Sequence, residues 1–467
     1  MRKMESVKRL VVLQLTTIGL LLQIAAYGIM WYRYYADAIK LVFWNRGNWL
    51  VIALYAILLL FFTSTYGGTK IGYLKPLDVF LSQVFALLMV NVFTYAQVSL
   101  MCEWFADTRP MLLLTGVQIV FAFIWTFCAD MFYKMVFPPR ELLLIHGERP
   151  IEDIKMKFAG RSDRYQIVNC INISEGIEAV KKEAEQRYGG VILWDIPTNT
   201  RNTLLKHFYS QSIRVYMMPK IPDVIIMGSE KMHLFDTPIL LTREYALTVE
   251  QRIIKRCIDL FCAIILLILA SPVMLVTAIV IKISDGGPVF YSQIRCTAGN
   301  KEFKILKFRS MRVDAEKNGK ARLASKGDPR ITPVGRFIRA VRIDELPQLL
   351  NIIKGDMSFI GPRPERPEII KQYLEEMPEF AFRTKVKAGL AGYAQVYGKY
   401  NTTPYDKLKL DLTYIENYSV WLDLKLMLLT LKVLITPDST EGVEANQVTA
   451  LKNEEKSDAS DEENDSE

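Results

Sequence analysis

Histidine is scarce in this sequence: the chain of 467 residues has three, at positions 146, 207 and 233. Because none follows His233, chemistry carried by the C-terminal half must use carboxylates, arginines, lysines or a metal ion. The six cysteines form no Cys-x-x-Cys pair and no cluster with histidine. This spacing argues against a disulfide framework and against a structural zinc site.

Net charge is also low for the length, at +8, because a basic body is combined with an acidic C-terminus. Residues 452–467 contain eight Asp or Glu. Such a run cannot bury enough apolar surface to fold, so we predict a disordered acidic tail over 450–467.

Apolar residues, in contrast, are abundant: they make up 51% of the chain, and the mean hydropathy is +0.14. Each of the first four long apolar runs can cross a hydrocarbon core of ~30 Å as a helix that rises ~1.5 Å per residue. They lie near residues 9–32, 48–66, 77–102 and 110–133. We therefore predict a four-helix transmembrane region over 1–135. Basic residues before the first run and after the fourth predict that both ends face the cytoplasm, although Arg33, Lys40 and Arg46 lie on the other side.

The segment 141–245 alternates short β-like runs with polar helical stretches, which predicts βαβ units and a parallel sheet. The turn after its first β-like run is His146-Gly147-Glu148-Arg149-Pro150. It has one glycine and a carboxylate where a dinucleotide-binding fold carries Gly-x-Gly-x-x-Gly. We expect a degenerate Rossmann-like domain that acts as a spacer or regulator and binds no dinucleotide.

A fifth apolar run, at about 257–283, contains Ser271-Pro272 in its middle and has basic residues on both flanks. Basic flanks mark the cytoplasmic side, and a proline removes a backbone donor and bends a helix. We predict a re-entrant helix that enters the membrane, breaks at Ser271-Pro272 and leaves on the same face. An ordinary kinked crossing is the alternative.

Two adjacent carboxylates, Asp344 and Glu345, precede an apolar pattern with helical spacing. The pattern predicts a helix that begins at or near Asp344, as its N-cap, and runs to about Lys354. A helix N-terminus binds anions and favours ionised carboxylates. Ordinary capping is the other interpretation of the pair.

Basic residues surround this pair in the sequence. Pro362 and Pro364 hold Arg363 in a stiff segment, which lowers the entropy lost when its guanidinium binds a phosphate. Arginines that precede the pair and two cations in the segment KILKFRSM add to the positive charge; the candidates for substrate binding are Lys307, Arg309, Arg339, Arg363, Pro362 and Pro364. Cations around two carboxylates suit a diphosphate substrate with Mg²⁺, which takes one or two carboxylates plus phosphate oxygens. A carboxylate can also act as a nucleophile.

The segments KFRSMRVDAE and DPRITPVGRFIRAVRIDELPQLLNIIKGDMSFIGPRPERPE, with the Ser271-Pro272 run, resemble the bacterial polyprenyl-phosphate sugar phosphotransferases. These monotopic phosphoglycosyl transferases start capsule, exopolysaccharide and O-antigen assembly. The resemblance covers about 250–437, the expected catalytic domain. The four spans and a Rossmann-like domain of the CoA-binding type are similar to the large subgroup of that family.

The resemblance implies an enzyme that moves a sugar-1-phosphate from a UDP-sugar to undecaprenyl phosphate and releases UMP. Asp344 matches the nucleophile that forms a covalent phosphosugar intermediate. Glu345 matches its partner, which helps to bind magnesium or activates the lipid phosphate. Lys307, Arg339 and Arg363 match functional basic positions, and Ser271-Pro272 matches the break in the re-entrant helix.

The predicted fold is a four-span α-helical membrane anchor, a degenerate α/β Rossmann-like domain and an α+β monotopic catalytic domain. We expect a location in the bacterial inner membrane with the catalytic domain on the cytoplasmic face. The expected partners are a UDP-sugar, undecaprenyl phosphate and the lipid bilayer, with no nucleic acid. The anchor permits a homodimer. A catalytically silent scaffold of a polysaccharide assembly complex is the alternative function.

Overall fold

The computed structural model describes residues 2–41, 43, 46–186, 188–242, 246–312, 328, 330–398 and 402–435. The predicted tail over 450–467 lies outside the described residues. The chain divides into two compact units, Met1–Met218 and Pro219–Glu467.

Four long helices open the first unit: α1 (Arg2–Met30), α2 (Arg46–Tyr66), α3 (Pro76–Met101) and α4 (Thr108–Val136). Each is long and apolar enough to cross a membrane, and a π-helical turn, Trp31–Tyr35, extends α1. At one depth along these four helices, polar side chains form hydrogen bonds in the interior. The Asn91 amide donates to Gln118 Oε1 (3.0 Å), and Asn91 Oδ1 accepts from the Tyr55 hydroxyl (3.1 Å). Because lipid offers no hydrogen bonds, such pairs hold membrane helices together.

A four-stranded sheet completes the first unit. Its strands are β1 (Arg140–His146), β2 (Tyr165–Asn172), β3 (Gly190–Trp194) and β4 (Val215–Met217), in the order β2-β1-β3-β4. All three pairings are parallel, as the alternation of β-like and helical runs predicts. Helices α5 (Glu152–Ala159), α6 (Ile177–Ala184) and α7 (Thr198–Ser210) connect the strands. The central strand β1 is buried from Leu142 to Ile145, which is typical of a parallel strand covered on both faces.

The second unit begins with α8 (Ile221–Met227), whose Ile221 and Val224 pack into the core of that unit. A hairpin of β5 (Glu230–Leu234) and β6 (Thr237–Leu241) follows. Next comes α9 (Val249–Asp285), a helix of 37 residues with the capping box Thr248–Gln251. It is the fifth helix among the described residues that is long and apolar enough to span, with a mean hydropathy of 2.9.

Helix α9 includes Pro272, and the break at Ser271-Pro272 stays a prediction. Proline cannot donate to the carbonyl four residues earlier, which belongs to Ile268. The Ser271 hydroxyl donates to that carbonyl oxygen at 2.8 Å and so replaces the missing donor. The helical assignment therefore survives the proline, and the re-entrant path stays a prediction.

The rest of the second unit is a mixed α and β assembly. Its strands are β7 (Phe290–Cys296), β8 (Glu302–Phe308), β9 (Ser358–Ile360) and β10 (Gly389–Ala391). Its helices are α10 (Pro333–Ala340), α11 (Gln348–Lys354), α12 (Pro367–Glu376), α13 (Tyr393–Tyr397), α14 (Pro404–Glu416) and α15 (Val420–Ile435). Strands β7 and β8 are antiparallel, and β9 and β10 are parallel. Apolar side chains of α11, α14 and β9 form the centre of this core, with Leu349, Leu408 and Ile360 almost fully buried.

Candidate active site

The two carboxylates lie in a tight turn. After α10 the chain reverses at Arg342, whose φ of +57° is left-handed, and Ile343–Glu345 form a 3₁₀ turn. Helix α11 starts only at Gln348, with Pro347 as its N-cap. The expected N-cap role of Asp344 is therefore wrong, because the chain reversal after α10 takes up Asp344 and Glu345 before the helix begins.

Glu345 is surrounded by three cations. Its Oε1 accepts hydrogen bonds from Lys307 Nζ at 3.0 Å and from Arg363 Nη2 at 3.2 Å, and Arg342 Nη1 lies 3.5 Å away. Burial alone would raise the pKa of Glu345, but Lys307, Arg363 and Arg342 together hold it well below its usual range. Glu345 is therefore an ionised carboxylate whose Oε1 is fixed by three cations.

Asp344 is in the opposite situation. It is buried, with 7% of its surface exposed, and its Oδ1 has no hydrogen-bond partner among the described residues. Burial and the neighbouring charge of Glu345 raise its pKa, while Lys307, Arg339 and Arg342 act to lower it. The turn therefore carries one carboxylate that cations hold in place and one with an oxygen that makes no hydrogen bond to the described residues. An unpartnered buried oxygen is costly unless something else binds it.

Arg363 comes from the segment Pro362–Pro364, which follows β9. At Gly361 a Cβ atom would lie 2.3 Å from the Lys387 carbonyl oxygen, so only glycine lets the backbone of residues 387–389 approach this closely. The charge of Glu345 is the main cause of a raised pKa at Arg363. The two groups are thus a mutually stabilised ion pair.

The structure brings together five of the predicted site residues, which are Asp344, Glu345, Lys307, Arg339 and Arg363. Lys307 and Arg363 contact Glu345, and the charge of Arg339 acts on Asp344. Arg309 is buried, and its Nη1 lies 1.9 Å from where a Cβ on Gly287 would be, so its guanidinium packs on that backbone. Its predicted role in substrate binding stays a prediction, as do those of Pro362 and Pro364, which flank Arg363. Ser271 and Pro272 lie within α9.

A metal ion would have few protein ligands here. Among the described residues no group of three or more His, Cys, Asp or Glu side chains could hold one. The unpartnered Oδ1 of Asp344 and the carboxylate of Glu345 nevertheless suit magnesium, which is usually bound by one or two carboxylates and by substrate phosphates. The residues fit an ion that arrives with a diphosphate and do not form a complete protein cage.

Two further residues support the site. Arg342 is the third cation on Glu345, and its left-handed backbone forms the reversal. Asn351 is buried on α11, where its Oδ1 accepts from Leu306 N (3.0 Å) and its Nδ2 donates to the Lys304 carbonyl (2.8 Å). It ties α11 to β8, the strand that carries Lys307. Asn351 is not among the apolar positions that predict this helix, so no pattern in the sequence indicated this contact.

Comparison with known proteins relates the second unit to a described family. Residues 250–437 match the family model described as "Bacterial sugar transferase". A UDP-N-acetylgalactosamine-undecaprenyl-phosphate N-acetylgalactosaminephosphotransferase of Aeromonas hydrophila is 45% identical over 186 residues, 39% of this chain and 44% of that protein. A UDP-glucose:undecaprenyl-phosphate glucose-1-phosphate transferase of Caulobacter vibrioides is 40% identical over 190 residues, 40% of this chain and 71% of that protein.

A protein of Escherichia coli with the same name as the Caulobacter transferase is 37% identical over 218 residues, 45% of this chain and 47% of that protein. The chain thus spans less than half the length of the Aeromonas and Escherichia relatives that it matches. Residues 250–437, which match the family model, contain the whole site around Asp344 and Glu345.

Proposed function

Because the chain belongs to the bacterial sugar transferase family, we propose that it transfers a sugar-1-phosphate from a UDP-sugar to undecaprenyl phosphate and releases UMP. The names of the Aeromonas and Caulobacter relatives support this reaction. The observation that carries the proposal is the division of labour within the carboxylate pair. One carboxylate is held by three cations, and the other keeps a buried oxygen that has no hydrogen-bond partner among the described residues.

In the first step, an Asp344 oxygen attacks the sugar-side phosphorus of the UDP-sugar. An O–P bond forms, the phosphoanhydride P–O bond breaks, and UMP leaves with the bond electrons. The product is an aspartyl phosphosugar. Asp344 lies in the 3₁₀ turn Ile343–Glu345, which fixes the direction of its attack.

In the second step, a phosphate oxygen of undecaprenyl phosphate attacks the same phosphorus. The lipid diphosphate sugar leaves and the Asp344 carboxylate is restored. No histidine is required, since phosphoryl transfer depends on positioning and on neutralising charge more than on moving protons.

The cations around the pair supply that neutralisation. Lys307, Arg339 and Arg363 would face the diphosphate. Because Glu345 pairs with Lys307 and Arg363, these two cations do not pair with Asp344 instead. When bound, magnesium would neutralise charge on the substrate phosphates, and Asp344 and Glu345 would hold it. The acid limb of activity is set by Asp344, which must be ionised to attack.

The membrane arrangement is part of the proposal. The acceptor is a long isoprenoid that stays in the bilayer, while a UDP-sugar is soluble, so the site must lie at the cytoplasmic rim of the inner membrane. We propose four spans, α1 to α4, and a re-entrant α9. The basic residues on both flanks of α9 support this path. Cysteine labelling at Asp259 and Gly286 tests it, because accessibility from opposite faces of the membrane would exclude re-entry.

The test of function is a transfer assay with radiolabelled UDP-sugars, undecaprenyl phosphate and magnesium. We expect labelled lipid with the native protein and none with Asp344→Asn. Undiminished labelled lipid from Asp344→Asn would refute the assigned nucleophile. Omitting magnesium is expected to abolish transfer. A panel of UDP-sugars, beginning with glucose, galactose and N-acetylated sugars, identifies the donor and the capsule, exopolysaccharide or O-antigen pathway that it serves.

The alternative is a catalytically silent scaffold that serves a polysaccharide assembly complex through its membrane anchor, alone or as a homodimer. A scaffold has no use for an unpartnered buried carboxylate oxygen, so the geometry at Asp344 favours the enzyme. The same assay separates the two, since a scaffold would form no labelled lipid with any sugar.

A further inference from the structure

The segment that carries Arg363 cannot hold itself in place. Pro362 and Pro364 have no backbone N–H, so they cannot donate to a neighbouring strand. Arg363 must nevertheless keep its Nη2 within 3.2 Å of Glu345 Oε1. Some other group must therefore fix the segment through its acceptors.

Four successive carbonyl oxygens of this segment, at residues 362–365, each accept a hydrogen bond. Two of the donors are backbone amides and two are arginine guanidinium groups. The bonds are Gly389 N to Pro362 O (2.9 Å), Arg383 Nη2 to Arg363 O (2.9 Å), Arg295 Nη1 to Pro364 O (3.1 Å) and Cys296 N to Glu365 O (3.0 Å).

Arg383 is the donor best placed to control Arg363, because it binds the carbonyl of that residue. Its side chain is 3% exposed, and its Nη2 also lies 2.8 Å from Asp411 Oδ2, which is 2% exposed. Its Nη1 lies 3.7 Å from Glu365 Oε1. Lys407 also pairs with Glu365. A buried guanidinium with carboxylates on two sides cannot swing away without leaving buried charges unpaired.

We infer that Arg383 is a positioning residue for Arg363: held by Asp411, it binds the Arg363 carbonyl and so keeps the Arg363 guanidinium on Glu345. This inference rests on the proposed function for its catalytic meaning. Arg383 does not contact Glu345 through any of these bonds, and its effect on transfer passes through Arg363. Lysine at this position retains the charge but loses the planar fork that serves Asp411 and the carbonyl together.

The first test is a double-mutant cycle of Arg383→Lys and Arg363→Lys in the transfer assay. Loss of one charge-assisted hydrogen bond predicts that Arg383→Lys lowers kcat/KM about tenfold in the native background. In the Arg363→Lys background the same change is expected to lower it by less than about twofold, because the group being positioned is gone. Equal losses in both backgrounds would overturn the inference.

A matched control is Arg256→Lys. Arg256 also donates to two backbone carbonyls, those of Ile352 at 2.6 Å and Ile353 at 2.7 Å, but these lie at the end of α11. We expect the fold-losses in kcat/KM caused by Arg256→Lys and by Arg363→Lys to multiply in the double variant, because the two residues act independently. A cycle for Arg256 that is as non-additive as the one for Arg383 would show a general loss of structure.

The second test does not depend on activity. Hydrogen exchange of the Gly389 and Cys296 amides, which donate to the Pro362 and Glu365 carbonyls, reports how firmly this segment is held. We expect Arg383→Lys to speed their exchange several-fold and Arg256→Lys to leave it unchanged. Unchanged exchange in Arg383→Lys would overturn the inference. If the native protein transfers no sugar phosphate, the proposed function fails, and this experiment alone decides whether Arg383 holds the segment.

Discussion

Neutralising each member of the carboxylate pair in turn should have opposite effects on stability. Asp344→Asn removes a buried charge whose Oδ1 has no hydrogen-bond partner among the described residues and which repels Glu345. Glu345→Gln removes the charge that holds Lys307, Arg342 and Arg363. The first change abolishes transfer and leaves the fold as stable as before or more stable. The second weakens the fold.

The size of the second effect follows from burial. The Glu345 side chain is 12% exposed, and those of its partners are 22%, 28% and 37% exposed. Breaking a buried ion pair by removing one partner costs ~3–5 kcal/mol, and the partly exposed cations place this case at the lower end, about 3 kcal/mol. For a unit of ~200 residues, 1 kcal/mol shifts Tm by ~2–4 °C, so we expect Tm to fall by about 10 °C.

Thermal unfolding of the purified protein in detergent measures both variants. The free energy of unfolding of Asp344→Asn is expected to be higher than that of the native protein or within about 0.5 kcal/mol of it, which is the range of an ordinary surface substitution. Glu375→Gln, at an exposed position on α12, is the control for loss of one acidic charge. A fall in Tm for Asp344→Asn as large as that for Glu345→Gln would refute the view that only Glu345 is committed to the cations.

Three other predictions test the geometry. Gly361→Ala puts a Cβ 2.3 Å from the Lys387 carbonyl oxygen, so we expect a loss of about 3 kcal/mol in chemical denaturation; an unchanged midpoint would contradict that close approach. Transfer needs ionised Asp344, whose pKa is raised, so the acid limb of the pH profile of kcat/KM should lie above pH 3.8. Glu345→Gln removes the neighbouring charge and should move this limb to lower pH. A limb that does not move would exclude coupling between the two carboxylates. The pKa of Glu365 is lowered from 4.5 to about 2, because its cations outweigh burial. Ionised Glu365 therefore adds about 3 kcal/mol to the free energy of unfolding above pH 4.5. This contribution is lost as the pH falls from 4.5 to about 2, and we expect it to be absent from the pH–stability profile of Glu365→Gln.

Residue type and spacing singled out several of the residues that meet at this site, although not Arg342 or Asn351. Adjacent carboxylates, a proline-flanked arginine and the basic KILKFRSM segment predicted a cationic site around two acids, and Lys307 and Arg363 do contact Glu345. Charge complementarity between distant segments can be expected from composition alone. The division of roles within the pair could not, because it depends on the 3₁₀ turn that places Glu345 among the cations.

Two features were beyond sequence reasoning for identifiable reasons. The Ser271 hydroxyl donates to the Ile268 carbonyl oxygen, and the sequence does not specify that acceptor. The bend at Pro272 stays a prediction. The contact of Arg383 with the Arg363 carbonyl joins residues 20 positions apart through a side chain and a backbone atom. Such a contact leaves no periodic pattern in the sequence.

The proposed reaction requires a covalent phosphosugar at Asp344. The measurement is peptide mass spectrometry of the native protein mixed with a UDP-sugar and magnesium, without lipid acceptor, and stopped during the first turnover. We predict a sugar phosphate on the peptide that contains Asp344, lost when undecaprenyl phosphate is added. A fully active protein that carries no such adduct, or carries it on another residue, would contradict the account.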